Sequence, residues 1–157
     1  MHNRLLSQRG TYNAGVKSSI DPADRILTWV KQAEQATQAA KDAALAGFGL
    51  PKAQYNALLM LSVDEGITAA ELARRCFITP QSAGETVKRL EAKGLITRVP
   101  HPVHVHVTET KVTPEGYAVL EKADAAVTAV EQRLRDTLTA PELESLRELL
   151  ERIRHTA

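Results

Sequence analysis

Residues 79–96 read TPQSAGETVKRLEAKGLI, and the reading of this stretch decides the fold. Thr79 is a capping residue, and Pro80 suits the first helical position, where no N–H is needed. Ala83, Val87 and Leu90 recur at helical spacing and form one apolar stripe. Gly94 ends the helix, and Leu95 and Ile96 resume an apolar pattern. Opposite the stripe stand Gln81, Glu85, Lys88 and Arg89, with Ser82 at the edge. Every surface helix has a polar face, so what this one touches follows from its neighbours.

Upstream, Thr68-Ala-Ala-Glu71 has the pattern of a capping box. It predicts a short helix with Leu72, Ala73 and Cys76 inward, and FIT at 77–79 is the turn into the next helix. Downstream, LITRV at 95–99 is β-branched and reads as a short strand. PHPVHV at 100–105 is a turn with two prolines, and HVTETKV at 106–112 alternates as a second strand. A short helix, a turn, a longer helix and a hairpin form the plan of a winged helix-turn-helix. In that plan the second helix lies in the DNA major groove and the hairpin tip reaches the backbone or minor groove.

The remainder is helical. Asp21-Pro22 with Asp24 predicts the start of a long helix carrying Ile26, Val30, Ala33, Ala36, Ala40 and Ala44 on one face, stopped by GFGL at 47–50. Pro51 opens a helix over about 52–62, with Leu58, Leu59 and Leu61 mostly inward, and Gly66 breaks it. Thr113-Pro114 starts another, with Val119, Ala123, Ala126, Val127, Val130 and Leu134 as its stripe. A further capping box, Thr139-Ala-Pro-Glu142, starts the last, which carries Leu143, Leu146, Leu149, Leu150 and Ile153. Residues 1–20 lack periodicity and read as an arm. The fold class expected is mainly α with a small two-to-three-stranded β-wing.

Composition agrees with an ordinary folded chain: 43% hydrophobic and 25% charged residues leave no case for disorder. One cysteine excludes an internal disulfide framework and fits a reducing cytoplasm. No apolar run is long enough for a membrane span, and the N-terminus lacks the apolar stretch of a signal peptide. Net charge is only +1, but its distribution is uneven. Residues 68–113 hold seven basic and four acidic residues, whereas 114–157 hold six and nine. The arm adds Arg4, Arg9 and Lys17 without an acid. Such a chain can bind a polyanion locally.

The stretch ITAAELARRCFITPQSAGETVKRLEAKGLITRV at 67–99, followed by VTPEGYAVLEKA at 112–123, resembles the MarR family of bacterial transcription regulators. The resemblance covers roughly residues 22–154. It implies an arm over 1–20 and a MarR-like domain over 21–157, with the winged helix-turn-helix at about 51–113. It also implies an obligate homodimer, joined through helices at about 22–46 and 114–154. Relatives repress transcription from double-stranded DNA and often release it on binding a small aromatic effector. Carried onto this chain, Thr79, Pro80, Gln81, Ser82 and Glu85 face bases or the start of the helix, Lys88 and Arg89 meet phosphates, and Arg98, His104 and His106 belong to the wing. Backbone N–H groups over 79–82 would offer a phosphate site. Trp29 and Tyr55 fall where relatives line a ligand pocket, though a core role is the simpler reading.

Two departures stand out. The acidic and arginine motif expected at the wing tip falls on HPVHVH at 101–106, and Glu85 stands where a base-reading arginine is frequent. A glutamate can still accept a hydrogen bond from cytosine N4. His101, His104 and His106 are read first as a solvated wing face, then as a proton-sensitive DNA contact, and last as part of a metal site. Cys76 reads as a small buried hydrophobe. No catalytic set, phosphate loop or Cys-x-x-Cys pair is present, so neither an enzyme nor a cofactor is expected. The alternatives are a metal- or pH-responsive regulator, or an interaction module of the same fold that does not bind DNA.

Overall fold

The computed structural model describes residues 20–64, 66–100 and 108–156. The readings placed on residues 1–19 and on 101–107, including Arg4, Arg9, His101, His104 and His106, lie outside the described residues. The chain divides into two units, residues 1–36 and 37–157.

In the first unit, Asp21 does not open the long helix as the sequence suggested. Its carboxylate does cap, accepting from the Ala23 N–H at 2.8 Å, but the helix it opens is short. A 3-10 turn over Pro22–Asp24 results, Arg25 is extended, and α1 (Ile26–Leu45) begins after it. The Trp29 indole donates to the Ala23 carbonyl at 2.8 Å, and the side chain remains 54% exposed. The simpler reading of Trp29 as core is therefore corrected: α1 buries only Leu45 along its length.

The second unit contains α2 (Lys52–Val63), α3 (Ala69–Arg75), α4 (Pro80–Ala92), β1 (Ile96–Pro100), β2 (Thr108–Val112), α5 (Pro114–Arg135) and α6 (Ala140–Thr156). Its core draws Tyr55, Leu58 and Leu61 from α2, Leu72 from α3, Val87 and Leu90 from α4, Ile96 and Val112 from the hairpin, and Leu120 and Ala123 from α5. The strands pair antiparallel, Ile96 opposite Val112 and Arg98 opposite Thr110. α6 buries none of its residues, and Leu146, Leu149, Leu150 and Ile153 are exposed. No described helix is long and apolar enough to cross a membrane.

Three threonine caps form as expected. Thr68, Thr79 and Thr113 accept from the N–H groups of Glu71, Ser82 and Gly116, at 3.2, 3.1 and 3.0 Å. The reciprocal half of the Thr68 box is not among them, because two guanidinium groups engage Glu71: Arg74 Nη2 at 2.6 Å and Arg75 Nε at 2.6 Å. At the start of α6 the roles reverse, and the Thr139 N–H and hydroxyl both donate to Glu142, at 2.8 and 2.7 Å.

Candidate nucleic-acid interface

α4 is amphipathic in the manner its spacing dictates. Ala83, Thr86, Val87 and Leu90 are buried, and the buried Thr86 hydroxyl donates to the Ser82 carbonyl at 2.8 Å. Gln81, Ser82, Glu85, Lys88 and Arg89 are all exposed, as are Thr79 and Pro80. The structure thus brings the expected face together on one helix.

The start of that helix is more closed than the sequence implied. Pro80 has no N–H, the Ser82 N–H bonds the Thr79 hydroxyl, and the Ala83 N–H bonds the Thr79 carbonyl at 3.0 Å. The Thr79 hydroxyl also donates to Ser82 Oγ at 2.9 Å. Of the backbone N–H groups over 79–82, the cap thus takes that of Ser82.

The other end is anchored. Gly94 takes φ +69°, which only glycine adopts cheaply, and the chain reverses into β1. The Lys93 ammonium turns inward and donates to the Gly49 carbonyl and to Oε1 of the buried Gln54, both at 2.7 Å. Thr113 donates its hydroxyl to the Gly94 carbonyl at 2.7 Å. Gly116, in the TPEG stretch, lets the start of α5 approach the chain between α4 and β1: a Cβ there would lie 2.1 Å from the Leu95 carbonyl oxygen. Sequence reasoning missed Lys93, Gln54 and Gly116 as the parts that set the pose of α4. Their partners are far away in the chain and leave no periodic trace.

Charge around α4 is largely settled within the protein. Arg74 and Arg75 embrace Glu71, Arg75 also reaches Asp64 at 2.7 Å, Arg98 pairs with Glu91 at 3.4 Å and Lys111 with Glu109 at 3.4 Å. The two guanidinium hydrogen bonds, Arg74 first, hold the Glu71 carboxyl down at about 2. With Lys93 bound inward, Lys88 and Arg89 are the basic residues of 68–113 that make no such ion pair or side-chain bond among the described residues. Both stand on the outer face of α4.

Tyr55 is part of the core. Its hydroxyl donates to Asp124 at 2.6 Å, the Lys41 ammonium lies 4.7 Å from its ring centroid, and burial with the Asp124 bond pushes the phenol pKa up. Two open cavities of about 250 and 260 Å³ flank α2 and α4, and neither is lined by Trp29 or Tyr55. Cys76 is half-buried against the core, and burial raises its thiol pKa. No three His, Cys, Asp or Glu side chains converge among the described residues.

Residues 48–104, spanning the helix-turn-helix, match the MarR family. The chain is 32% identical over 111 residues to the HTH-type transcriptional repressor Rv2887 of Mycobacterium tuberculosis, covering 71% of this chain and 80% of the relative. Two crystal structures of Rv2887 are similar in fold. The complex with DNA superposes with a TM-score of 0.64 at 28% identity, covering 82% of this chain and 97% of that one. The complex with p-aminosalicylic acid gives 0.66 at 28% identity, covering 82% and 98%. A capped, amphipathic α4 between a short helix and a hairpin, with agreement of this extent along the chain, establishes that the protein belongs to the MarR family.

Proposed function

We propose that the chain is a cytoplasmic transcriptional repressor that binds duplex DNA as a homodimer and responds to a small aromatic ligand. Each subunit would lay α4 in the major groove of one half of an inverted-repeat operator. The observation that carries this reading is the outer face of α4: exposed side chains with hydrogen-bonding ends, and two cations outside the protein's own ion pairs. Gln81 can bond adenine bidentately, Glu85 can accept from cytosine N4, and Lys88 and Arg89 can neutralise phosphates. Arg98, paired with Glu91, supports the wing. Thr79, Pro80 and Ser82 set the start of the helix.

The homodimer is supported by apolar surface that one chain leaves open. Leu134 on α5, and Leu146, Leu149, Leu150 and Ile153 on α6, are exposed at helical spacing. Monomeric proteins rarely leave such stripes uncovered. That the relative Rv2887 has been crystallised with DNA and with p-aminosalicylic acid supports the same reading. Trp29 offers an exposed aromatic face to such a ligand, whereas Tyr55 is already committed to Asp124.

The test is selection of duplexes from a random library, with sedimentation of the free protein. The expected outcome is a dimer at micromolar concentration that enriches an inverted repeat with half-site centres about 34–36 Å apart. A monomer, or no enrichment at all, would overturn the reading. Repeating the selection at about pH 6 and 8, and with a chelator, decides whether the histidines of 101–106 add a proton- or metal-dependent contact.

A further inference from the structure

Two turns bracket α4, and they share one hydrogen-bond pattern. After α4, the Gly94 N–H donates to the Glu91 carbonyl at 2.9 Å and the Leu95 N–H to the Leu90 carbonyl at 3.0 Å. After α3, the Phe77 N–H donates to the Arg74 carbonyl at 3.3 Å and the Ile78 N–H to the Ala73 carbonyl at 3.0 Å. Each is a complete Schellman ending, which places one residue in the left-handed region. At the second turn that residue is Gly94. At the first it is Phe77, with φ +54°, the one non-glycine residue of positive φ among the described residues.

An L side chain in that region crowds its own carbonyl, so glycine is the undemanding choice and phenylalanine is not. Packing does not compensate. Phe77 is 94% exposed, more than any other large hydrophobic side chain among the described residues. The ring is unfavourable for the backbone and for solvation, and it adds nothing to the core of its own chain.

Its place is informative. Phe77 precedes the capping Thr79 by two residues, so their Cα atoms are at most about 7 Å apart. The ring therefore stands at the end of α4 that carries Gln81 and Ser82. Within four positions of it along the chain the exposed residues are polar or small: Arg74, Thr79, Pro80 and Gln81. The other exposed large apolar residues, which a second copy could cover, lie just before and on α1, at the end of α2, and on α5 and α6. A lone ring in a polar setting suits a polyanion with apolar spots better than an apolar protein face.

We propose that Phe77 is a DNA-contacting residue whose ring seats on an apolar patch of the duplex at the groove edge. That patch is a thymine 5-methyl group or the C–H face of a deoxyribose. The proposal rests on the reading of α4 as the DNA-reading helix. Phe77 accepts backbone strain in the free protein so that the ring is already presented when DNA arrives.

The experiment compares wild type with Phe77→Gly and Phe77→Asn, since both replacements tolerate the left-handed backbone. The probe is the duplex that wild type selects from a random library, and the same duplex with uracil in place of thymine. Both variants should melt no lower than wild type, remain dimeric and bind the selected duplex about 5- to 10-fold more weakly. If a thymine methyl is the contact, uracil weakens wild type by a similar factor and leaves the variants unchanged. If the sugar is the contact, uracil leaves all three unchanged. Variants that bind as tightly as wild type overturn the proposal. A loss confined to Phe77→Gly reports turn flexibility and also overturns it, and a loss of dimer assigns the ring to a second copy. If wild type selects no duplex, the DNA reading itself fails and this inference falls with it.

Discussion

The C-terminal end of α4 is tied into the protein by Lys93, Thr113 and the close approach of Gly116 to Leu95. The N-terminal end is closed by Thr79 and Ser82, next to an exposed Phe77. Both ends use the same turn, yet one is an anchor and the other is presented outward. A reading helix needs this asymmetry. Its pose must be fixed by contacts that a bound partner does not disturb, and its tip must stay accessible.

The anchor should be the more fragile end. Gly116→Ala puts a Cβ into the Leu95 carbonyl, a backbone atom that cannot swing aside. Unfolding in urea should show a loss of about 3 kcal/mol. Gly84→Ala, inside α4 with open space at its Cβ, should instead add about 0.5–1 kcal/mol. A Gly116→Ala protein as stable as wild type would mean that Gly116 and the Leu95 carbonyl are not pressed together.

Lys93→Ala tests the same anchor more gently. It strips the buried Gln54 carbonyl oxygen of its donor and should cost about 1–3 kcal/mol in the same assay. A loss of DNA affinity without that loss of stability would show that Lys93 meets phosphate after all.

Exchanging the two turn residues sharpens the contrast. Gly94→Phe should destabilise by about 1–2 kcal/mol, because a side chain is introduced at φ +69°. Phe77→Gly removes the same kind of strain and should leave stability unchanged or raised by up to about 1 kcal/mol, measured by thermal melting. Equal and opposite effects would support a common geometry at both ends.

The smallest effect concerns acid. Glu71 titrates near 2 in the folded chain against an ordinary 4.5, held down by Arg74 and Arg75. A depressed pKa means that its contribution is present above about 4.5 and lost as pH falls through about 2. Glu71→Gln should therefore flatten the stability–pH curve in that window and change little at neutrality. An unchanged acid limb would show that the Arg74–Glu71–Arg75 cluster does not persist in solution.

Much of this architecture was legible because it is local. The three threonine caps and the outward Gln81, Glu85, Lys88 and Arg89 follow from offsets of three and four residues along one helix. The failures have two sources. Lys93 entered only the count of basic residues in 68–113, since its partners Gly49 and Gln54 lie 44 and 39 residues away. Gly116 belonged to a recognisable stretch, but its physical reason is the Leu95 carbonyl on another element. Glu71 failed locally, since two arginines competed for its carboxylate, and the Asp21 cap opened only a 3-10 turn. Phe77 was also a local signal: a helix end with no glycine to take the left-handed position.

The central claim is that the outer face of α4 meets duplex DNA, and the salt dependence of binding tests it most directly. Affinity for the selected duplex and for a random duplex is measured across salt for wild type, Lys88→Ala, Arg89→Ala and Gln81→Ala. Loss of one phosphate contact should reduce the log–log slope by about 0.9 in the Lys88 and Arg89 variants, on both duplexes alike. Gln81→Ala should keep the slope and narrow the gap between the two duplexes. Slopes identical to wild type in both Lys88→Ala and Arg89→Ala would contradict the assignment of this face to DNA.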